Sequence, residues 1–163
     1  MKKAAIVSTI LACLVSLPAV ADSRDKIISG RVQRIHDGDT FTIAGTDIRI
    51  WGIDAPELNQ SCRHKNGKAY ACGLEARKNL QDIFRGRVVS CRQVGVSGRR
   101  IVAKCHVGNN DIGRAMVLSG HAVDASKYSN RTYADVQRKA MANEVGLWRG
   151  SFQEPWQWRK ANR

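Results

Sequence analysis

The sequence has few prolines and few aromatic residues, and it lacks the repeats that define a fibrous protein. It contains 3 prolines, and aromatic side chains make up 6% of its 163 residues. Neither a glycine triplet nor a sustained heptad occurs, which excludes a collagenous or coiled-coil fibre. The length suits one domain, and 43% apolar with 25% charged residues is typical of a globular chain. The sequence therefore predicts a single globular domain.

Acidic residues are scarce relative to basic ones. There are 14 Asp and Glu residues against 27 Lys and Arg residues, which gives a formal charge of +13. A surplus of this size favours a polyanionic partner such as nucleic acid, anionic lipid or acidic glycan. No strongly amphipathic basic helix supports binding to a membrane surface, so nucleic acid is the favoured class.

A long hydrophobic run occurs only at the N-terminus. Lys2 and Lys3 precede an apolar stretch at 4–20, and Ala-Val-Ala at 19–21 is typical of a cleavage site. We interpret residues 1–21 as a secretory signal peptide cleaved after Ala21, since Ser and Pro interrupt the run and its length is marginal for a membrane anchor. The expected product is a periplasmic or secreted monomer, residues 22–163, with no membrane segment and no stable protein partner. Loss of the two lysines lowers its charge to +11.

The sequence lacks the Cys-x-x-Cys spacing of common zinc modules. Four cysteines follow the signal segment, at Cys62, Cys72, Cys91 and Cys105. An even number in an exported chain predicts two disulfides rather than a zinc site, with three connectivities available. We favour Cys62–Cys72 and Cys91–Cys105, because the second pair flanks a predicted hairpin turn at 95–98.

Hydrophobic patterning and turn residues divide the chain into strands followed by helices. The pattern predicts strands at 26–35, 40–43, 48–53, 88–93 and 100–107, and helices at 73–85, 111–119 and 132–144. Three strands, one helix, two strands and further helices is the order of a five-stranded Greek-key barrel of the OB type. Barrels of this type commonly bind oligonucleotides, which agrees with the basic charge.

Two acidic pairs occur at strand ends. Asp37 and Asp39 form a turn after the first strand, and Asp54 and Glu57 follow the third. If the second and third strands form a hairpin, Asp39 and Asp54 lie side by side. Two carboxylates with a backbone carbonyl suit Ca²⁺, a hard cation that prefers oxygen ligands. The alternative is that Asp-Gly-Asp is simply a turn.

Two arginines are candidates for phosphate binding. Arg49 interrupts the apolar third strand, and Arg99 lies beside the predicted hairpin turn at 95–98. A guanidinium group can bind phosphate oxygens through two parallel hydrogen bonds. Alternatively, both are solvated charges, or Arg49 is the ion-pair partner of a carboxylate in the barrel. Five positions separate Arg49 from Asp54, so a twist or bulge is required to bring them together.

The segments 36–40 (HDGDT) and 48–57 (IRIWGIDAPE) closely resemble the staphylococcal nuclease (thermonuclease) family. The resemblance continues through 98–100 and 146–148 and covers about residues 26–150. It implies an α+β fold, a five-stranded OB-fold β-barrel with three helices. It also implies Ca²⁺-dependent cleavage of the P–O5′ bond in DNA and RNA, which leaves a 3′-phosphate.

The same resemblance implies a role for each site residue. Asp39 and Asp54 would bind Ca²⁺ through their carboxylates, and Ala55 would bind it through its backbone carbonyl. Glu57 would activate the attacking water. Arg49 and Arg99 would bind the phosphodiester.

The chain departs from the family where nucleotide bases are expected to stack. Ser97 and Ser126 fall where the family's type member has tyrosines, which leaves Tyr128 as the expected substrate-stacking residue. The alternative to a nuclease is a non-catalytic OB-type polyanion-binding protein that keeps the barrel and the charge. A binding protein of that kind has no need of a complete set of metal ligands, base and phosphate-binding arginines.

Overall fold

The structure is a computed structural model that describes residues 26–162, so the predicted signal peptide lies outside the described residues. The strands are β1 (Ile27–Ile35), β2 (Thr40–Ile43), β3 (Thr46–Ile50), β4 (Ile53–Asp54), β5 (Cys62–His64), β6 (Ala69–Tyr70), β7 (Val88–Ser97), β8 (Arg100–Val107), β9 (Asn110–Asp111), β10 (Val123–Asp124) and β11 (Gly150–Ser151). The helices are α1 (Cys72–Phe84), α2 (Ile112–Leu118), α3 (Ser126–Ser129), α4 (Ala134–Ala142) and α5 (Pro155–Ala161), with a 3₁₀ turn at Gly146–Arg149.

Five strands close into a barrel. Antiparallel pairs join β1 to β2, β2 to β3, β1 to β7 and β7 to β8. The barrel closes where β3 pairs with β8 in parallel, with Ile48 opposite Ile101. This is the five-stranded OB barrel that the sequence predicted, and α1, α2 and α4 correspond to the three predicted helices.

Alternating side chains fill the barrel. Phe41 and Ile43 of β2 and Ile48 and Ile50 of β3 are buried, because successive side chains of a strand point to opposite faces. Arg49, between the two isoleucines, therefore points away from the apolar interior. The helix α1 closes one side of the core, with its buried residues Ala76, Leu80 and Phe84 facing the barrel.

A smaller apolar cluster lies outside the barrel. Cys62, Cys72, Val123 and Leu147 are buried there, and they are joined by Tyr70, Trp148 and Phe152. Cys62 is bonded to Cys72, and Cys91 is bonded to Cys105 across the β7–β8 hairpin. Both pairings are those favoured from the spacing of the cysteines.

Two features differ from the sequence pattern. The segment 59–67 follows Pro56, and its Asn and Gly residues are typical of a loop, but it contributes β5 to a small sheet with the order β11-β5-β6. The C-terminal aromatic segment forms α5, which begins at the buried Pro155, a residue type favoured in the first turn of a helix. Within residues 26–162, none of the helices is both long and apolar enough to cross a membrane.

Candidate active site

The loop between β1 and β2 holds Asp39 against the segment that follows β4. Gly38 permits this approach, because a Cβ there would lie 2.7 Å from the Cβ of Ala55 and 2.8 Å from that of Ala76. The Asp39 backbone N–H donates to Asp37 Oδ1 at 2.9 Å, which fixes the turn. The Asp39 side chain is 2% exposed, and its Oδ2 accepts a hydrogen bond from the Ala55 N–H at 3.1 Å.

A bend after β3 returns the chain towards Arg49. Gly52 adopts a φ of +78°, and a Cβ at this position would lie 3.1 Å from the Cβ of Ser129. β4 then pairs with β10, which places Asp54 opposite Val123. The sequence analysis indicated that a twist or bulge is needed to bring Arg49 and Asp54 together, and the turn at Gly52 is that bend.

Arg49 joins the two aspartates that the sequence predicted to lie side by side. Its Nη1 donates to Asp39 Oδ1 at 2.8 Å, and its Nη2 donates to Asp54 Oδ1 at 2.9 Å. Burial disfavours the charged guanidinium, but the charges of Asp39 and Asp54 outweigh burial and raise the pKa of Arg49. The strand-end carboxylates and the strand arginine therefore form one buried ionic cluster.

A second arginine enters this cluster from α5. Arg159 donates from Nη1 to Asp54 Oδ1 at 2.9 Å and to Glu57 Oε1 at 2.8 Å, and from Nη2 to Asp54 Oδ2 at 2.9 Å. Burial disfavours its charge, but hydrogen bonds to Asp54 and Glu57 outweigh burial and raise the pKa of Arg159. The sequence allows two interpretations of the aromatic and basic C-terminal segment that contains Arg159, contact with nucleic acid or packing back on the barrel, and the second is the favoured one. Arg159 and Asp54 are 105 positions apart, and no local sequence pattern predicts a contact between them.

Glu57 lies in the loop between β4 and β5, and hydrogen bonds of its backbone with Gln60 hold it there. Its carbonyl accepts a hydrogen bond from Gln60 N–H at 2.8 Å, and its own N–H donates to Gln60 Oε1 at 3.2 Å. The Glu57 side chain is 29% exposed, in contrast to 2% for Asp39 and 8% for Asp54. The least buried of the three carboxylates is therefore the one predicted to activate water.

Further carboxyl groups crowd the cluster. Asp37 has a pKa raised to about 7, first by burial and then by the charge of Asp39, with a smaller contribution from Glu57. Burial and the charge of Asp54 raise the pKa of Glu154, the residue that precedes α5. The concentration of negative charge explains why two guanidinium groups are held here.

The remaining predicted site residues lie in different places. Ala55 is buried, and its N–H donates a hydrogen bond to Asp39 Oδ2. Arg99 is exposed in the turn between β7 and β8 and makes no described hydrogen bond or ion pair within residues 26–162. Tyr128 lies on α3 with its side chain 73% exposed. The structure therefore brings Asp39, Asp54, Ala55, Glu57 and Arg49 together but leaves Arg99 and Tyr128 on the surface.

The carboxylates fit Ca²⁺ by chemistry. Asp54 Oδ1 and Glu57 Oε1 both lie within 2.9 Å of one nitrogen of Arg159, so their oxygens already converge on a single cation. Hard oxygen donors with a net negative charge suit Ca²⁺. In the arrangement described, these oxygens are engaged by guanidinium groups. No set of three acidic, His or Cys side chains between residues 26 and 162 is arranged as a ready metal site.

Comparisons with known proteins identify similar sequences over most of the chain. Residues 47–150 match the family described as staphylococcal nuclease homologue. The succinoglycan biosynthesis protein ExoI of Rhizobium meliloti (strain 1021) is 34% identical over 116 residues, which cover 69% of this chain and 61% of that protein.

Plant relatives match a similar stretch. The probable staphylococcal-like nucleases CAN4 and CAN3 of Oryza sativa subsp. japonica are 31% and 32% identical over 72% and 71% of this chain. The aligned region covers 22% and 29% of those two proteins. The chain thus spans less than two thirds of the length of each of these curated relatives.

Proposed function

The chain belongs to the staphylococcal nuclease family, and from that premise we propose that it is a Ca²⁺-dependent endonuclease acting on DNA and RNA. One observation carries the proposal. The carboxylates of Asp39, Asp54 and Glu57 meet around shared guanidinium groups at one site on an OB barrel. A protein that only bound polyanions would have no use for three carboxylates on a surface that attracts phosphates.

Each group has a task in phosphodiester hydrolysis. The carboxylates of Asp39 and Asp54 and the carbonyl of Ala55 would hold Ca²⁺, which when bound polarises a phosphoryl oxygen and offsets its charge. Glu57 accepts a proton from the attacking water at its carboxylate. Arg49 uses two of its five N–H donors on Asp39 and Asp54, which leaves three for phosphoryl oxygens.

The bonds change in a single displacement. The water oxygen bonds to phosphorus as the P–O5′ bond breaks, and the departing 5′ oxygen takes a proton from solvent. The products are a 3′-phosphate and a 5′-hydroxyl. Arg99 is assigned to the same phosphodiester on the resemblance to the family, and its exposed position leaves its guanidinium free for a substrate.

Substrate binding depends on charge and stacking. The charge of +11 predicted for residues 22–163 favours salt-dependent attraction to any nucleic-acid backbone. The exposed ring of Tyr128 is available to stack on a base. Neither contact reads sequence, so we propose cleavage with little sequence specificity. Two disulfides support our proposal of a secreted or periplasmic location, because such bonds persist in oxidising compartments.

A second candidate is a polyanion-binding protein without catalysis. Two observations favour it: the three carboxylates are engaged by arginines, and one relative is named for succinoglycan biosynthesis rather than for a nuclease. The same barrel and charge would serve this role.

Incubation of the purified protein with plasmid DNA and with RNA separates the two candidates. The nuclease proposal predicts that both substrates are degraded in Ca²⁺ and stay intact in chelator, and that Asp39→Asn greatly slows degradation. Intact substrates in Ca²⁺, together with a salt-sensitive gel shift, would instead support the binding protein.

A further inference from the structure

Strand pairing and a hydrogen bond from a buried side chain attach the segment that precedes α5 to the rest of the protein. β11 pairs with β5, with Gly150 opposite His64. Gln60, a buried side chain, donates from Nε2 to the carbonyl of Gln153 at 2.7 Å. Pro155, the first residue of α5, is the one residue of that helix classed as buried.

Beyond Pro155, Arg159 makes the polar contacts between α5 and the barrel, and Trp158 is half-buried. The side chain of Trp156 is 55% exposed, and Gln157 and Lys160 are also exposed. Among the described residues, the hydrogen bonds recorded between side chains of α5 and the barrel are those that Arg159 makes to Asp54 and Glu57. A short helix with one buried residue is marginal by itself. Loss of this ionic contact would therefore weaken the attachment of α5.

Arg159 binds oxygens of Asp54, a proposed Ca²⁺ ligand, and of Glu57, the proposed base. Both oxygens of Asp54 and one oxygen of Glu57 accept hydrogen bonds from its guanidinium. Asp54 Oδ1, which also accepts from Arg49, has no lone pair left for Ca²⁺ while it holds Arg159. The ion carries two charges where the guanidinium carries one, so it can replace Arg159 without leaving the carboxylates uncompensated.

We propose that Arg159 and Ca²⁺ compete for the carboxylates of Asp54 and Glu57, and that Ca²⁺ binding displaces Arg159 and releases α5. The inference rests on the proposed Ca²⁺ dependence and adds a coupling between the metal and the C-terminal helix. Since Ca²⁺ must compete with Arg159, the apparent affinity for Ca²⁺ equals the intrinsic affinity multiplied by the fraction of molecules in which Arg159 does not hold the carboxylates. Arg159 thus sets the Ca²⁺ concentration at which the site fills.

Calorimetric Ca²⁺ titration of the mature chain tests the competition. Arg159→Ala is expected to bind Ca²⁺ at least about 10-fold more tightly than the wild type. Arg159→Lys, which keeps the charge but loses the two-pronged contact with Asp54, is expected to lie between them. Lys160→Ala is the matched control, because it removes a neighbouring positive charge from an exposed position of the same helix. Its affinity should stay within about twofold of the wild type.

Hydrogen exchange in the wild-type protein tests the release of α5 without any substitution. Amides in residues 156–161 should exchange faster in saturating Ca²⁺ than in chelator, while those of β7 and β8 should not. Unchanged exchange in α5, or an Arg159→Ala affinity equal to or weaker than that of the wild type, would overturn the inference. Degradation of DNA in Ca²⁺ would then still support the nuclease proposal. Failure of the wild type and of Arg159→Ala to bind Ca²⁺ would overturn both the displacement and the Ca²⁺ dependence.

Discussion

Replacing Arg49 by Met removes the cation that holds Asp39 and Asp54 together while keeping a side chain of similar length. Asp39 would retain hydrogen bonds from the Thr40 hydroxyl at 2.8 Å and the Ala55 N–H at 3.1 Å, and Asp54 would retain Arg159. Removal of one partner of a buried pair costs about 3–5 kcal/mol. Because other partners remain, we expect the lower end, a loss of about 3 kcal/mol in the free energy of unfolding.

Urea unfolding in chelator measures this loss for Arg49→Met, Asp39→Asn and the double variant. The two residues are in direct contact, so the double-mutant cycle should give a coupling of about 2 kcal/mol. Arg114→Met is the control, since Arg114 and Asp135 form an exposed pair whose loss should lower the free energy of unfolding much less. A coupling near zero, or equal losses for Arg49→Met and Arg114→Met, would refute the reasoning that this ionic cluster stabilises the fold.

Three further predictions concern the disulfides, the substrate surface and pH. Replacing Cys91 and Cys105 by Ala should lower the free energy of unfolding by about 3 kcal/mol; equal urea midpoints for this variant and the oxidised wild type would contradict it. Tyr128→Ala should weaken binding of single-stranded DNA in chelator about 10-fold by loss of stacking, and Tyr128→Phe should not; a similar loss in both would point to the hydroxyl. Burial lowers the pKa of His121 below its usual value. His121 therefore gains a proton more readily in the unfolded chain than in the folded protein. The free energy of unfolding decreases as the pH is lowered from about 7 through the folded pKa of His121. His121→Gln should reduce this fall between about pH 7.5 and 5.5 in urea unfolding, and an unchanged slope would contradict it.

Local patterns predicted the barrel and most of the acidic cluster. The order of predicted strands and helices indicated the barrel, and hairpin geometry predicted that Asp39 and Asp54 lie side by side. Arg49 forms two hydrogen bonds that bridge these aspartates. These contacts follow from neighbouring strands and turns, which sequence spacing encodes.

Contacts between distant segments were not predictable in the same way. Arg159 reaches Asp54 only because β11 and Gln60 direct the C-terminal segment back across the site. No periodicity in the sequence reports such a return. Arg99 shows the opposite case, since it was expected at the site and lies exposed in a hairpin turn. Its part in binding phosphate depends on a substrate.

The central claim is that Glu57 activates water for hydrolysis of nucleic acid, and one rate measurement tests it most directly. The rate of plasmid DNA degradation in saturating Ca²⁺ should fall about 100-fold or more in Glu57→Gln, because the amide cannot accept the proton. The control Glu144→Gln, at an exposed residue paired with Lys65, should degrade DNA at the wild-type rate. Degradation by Glu57→Gln as fast as by the wild type would contradict the account.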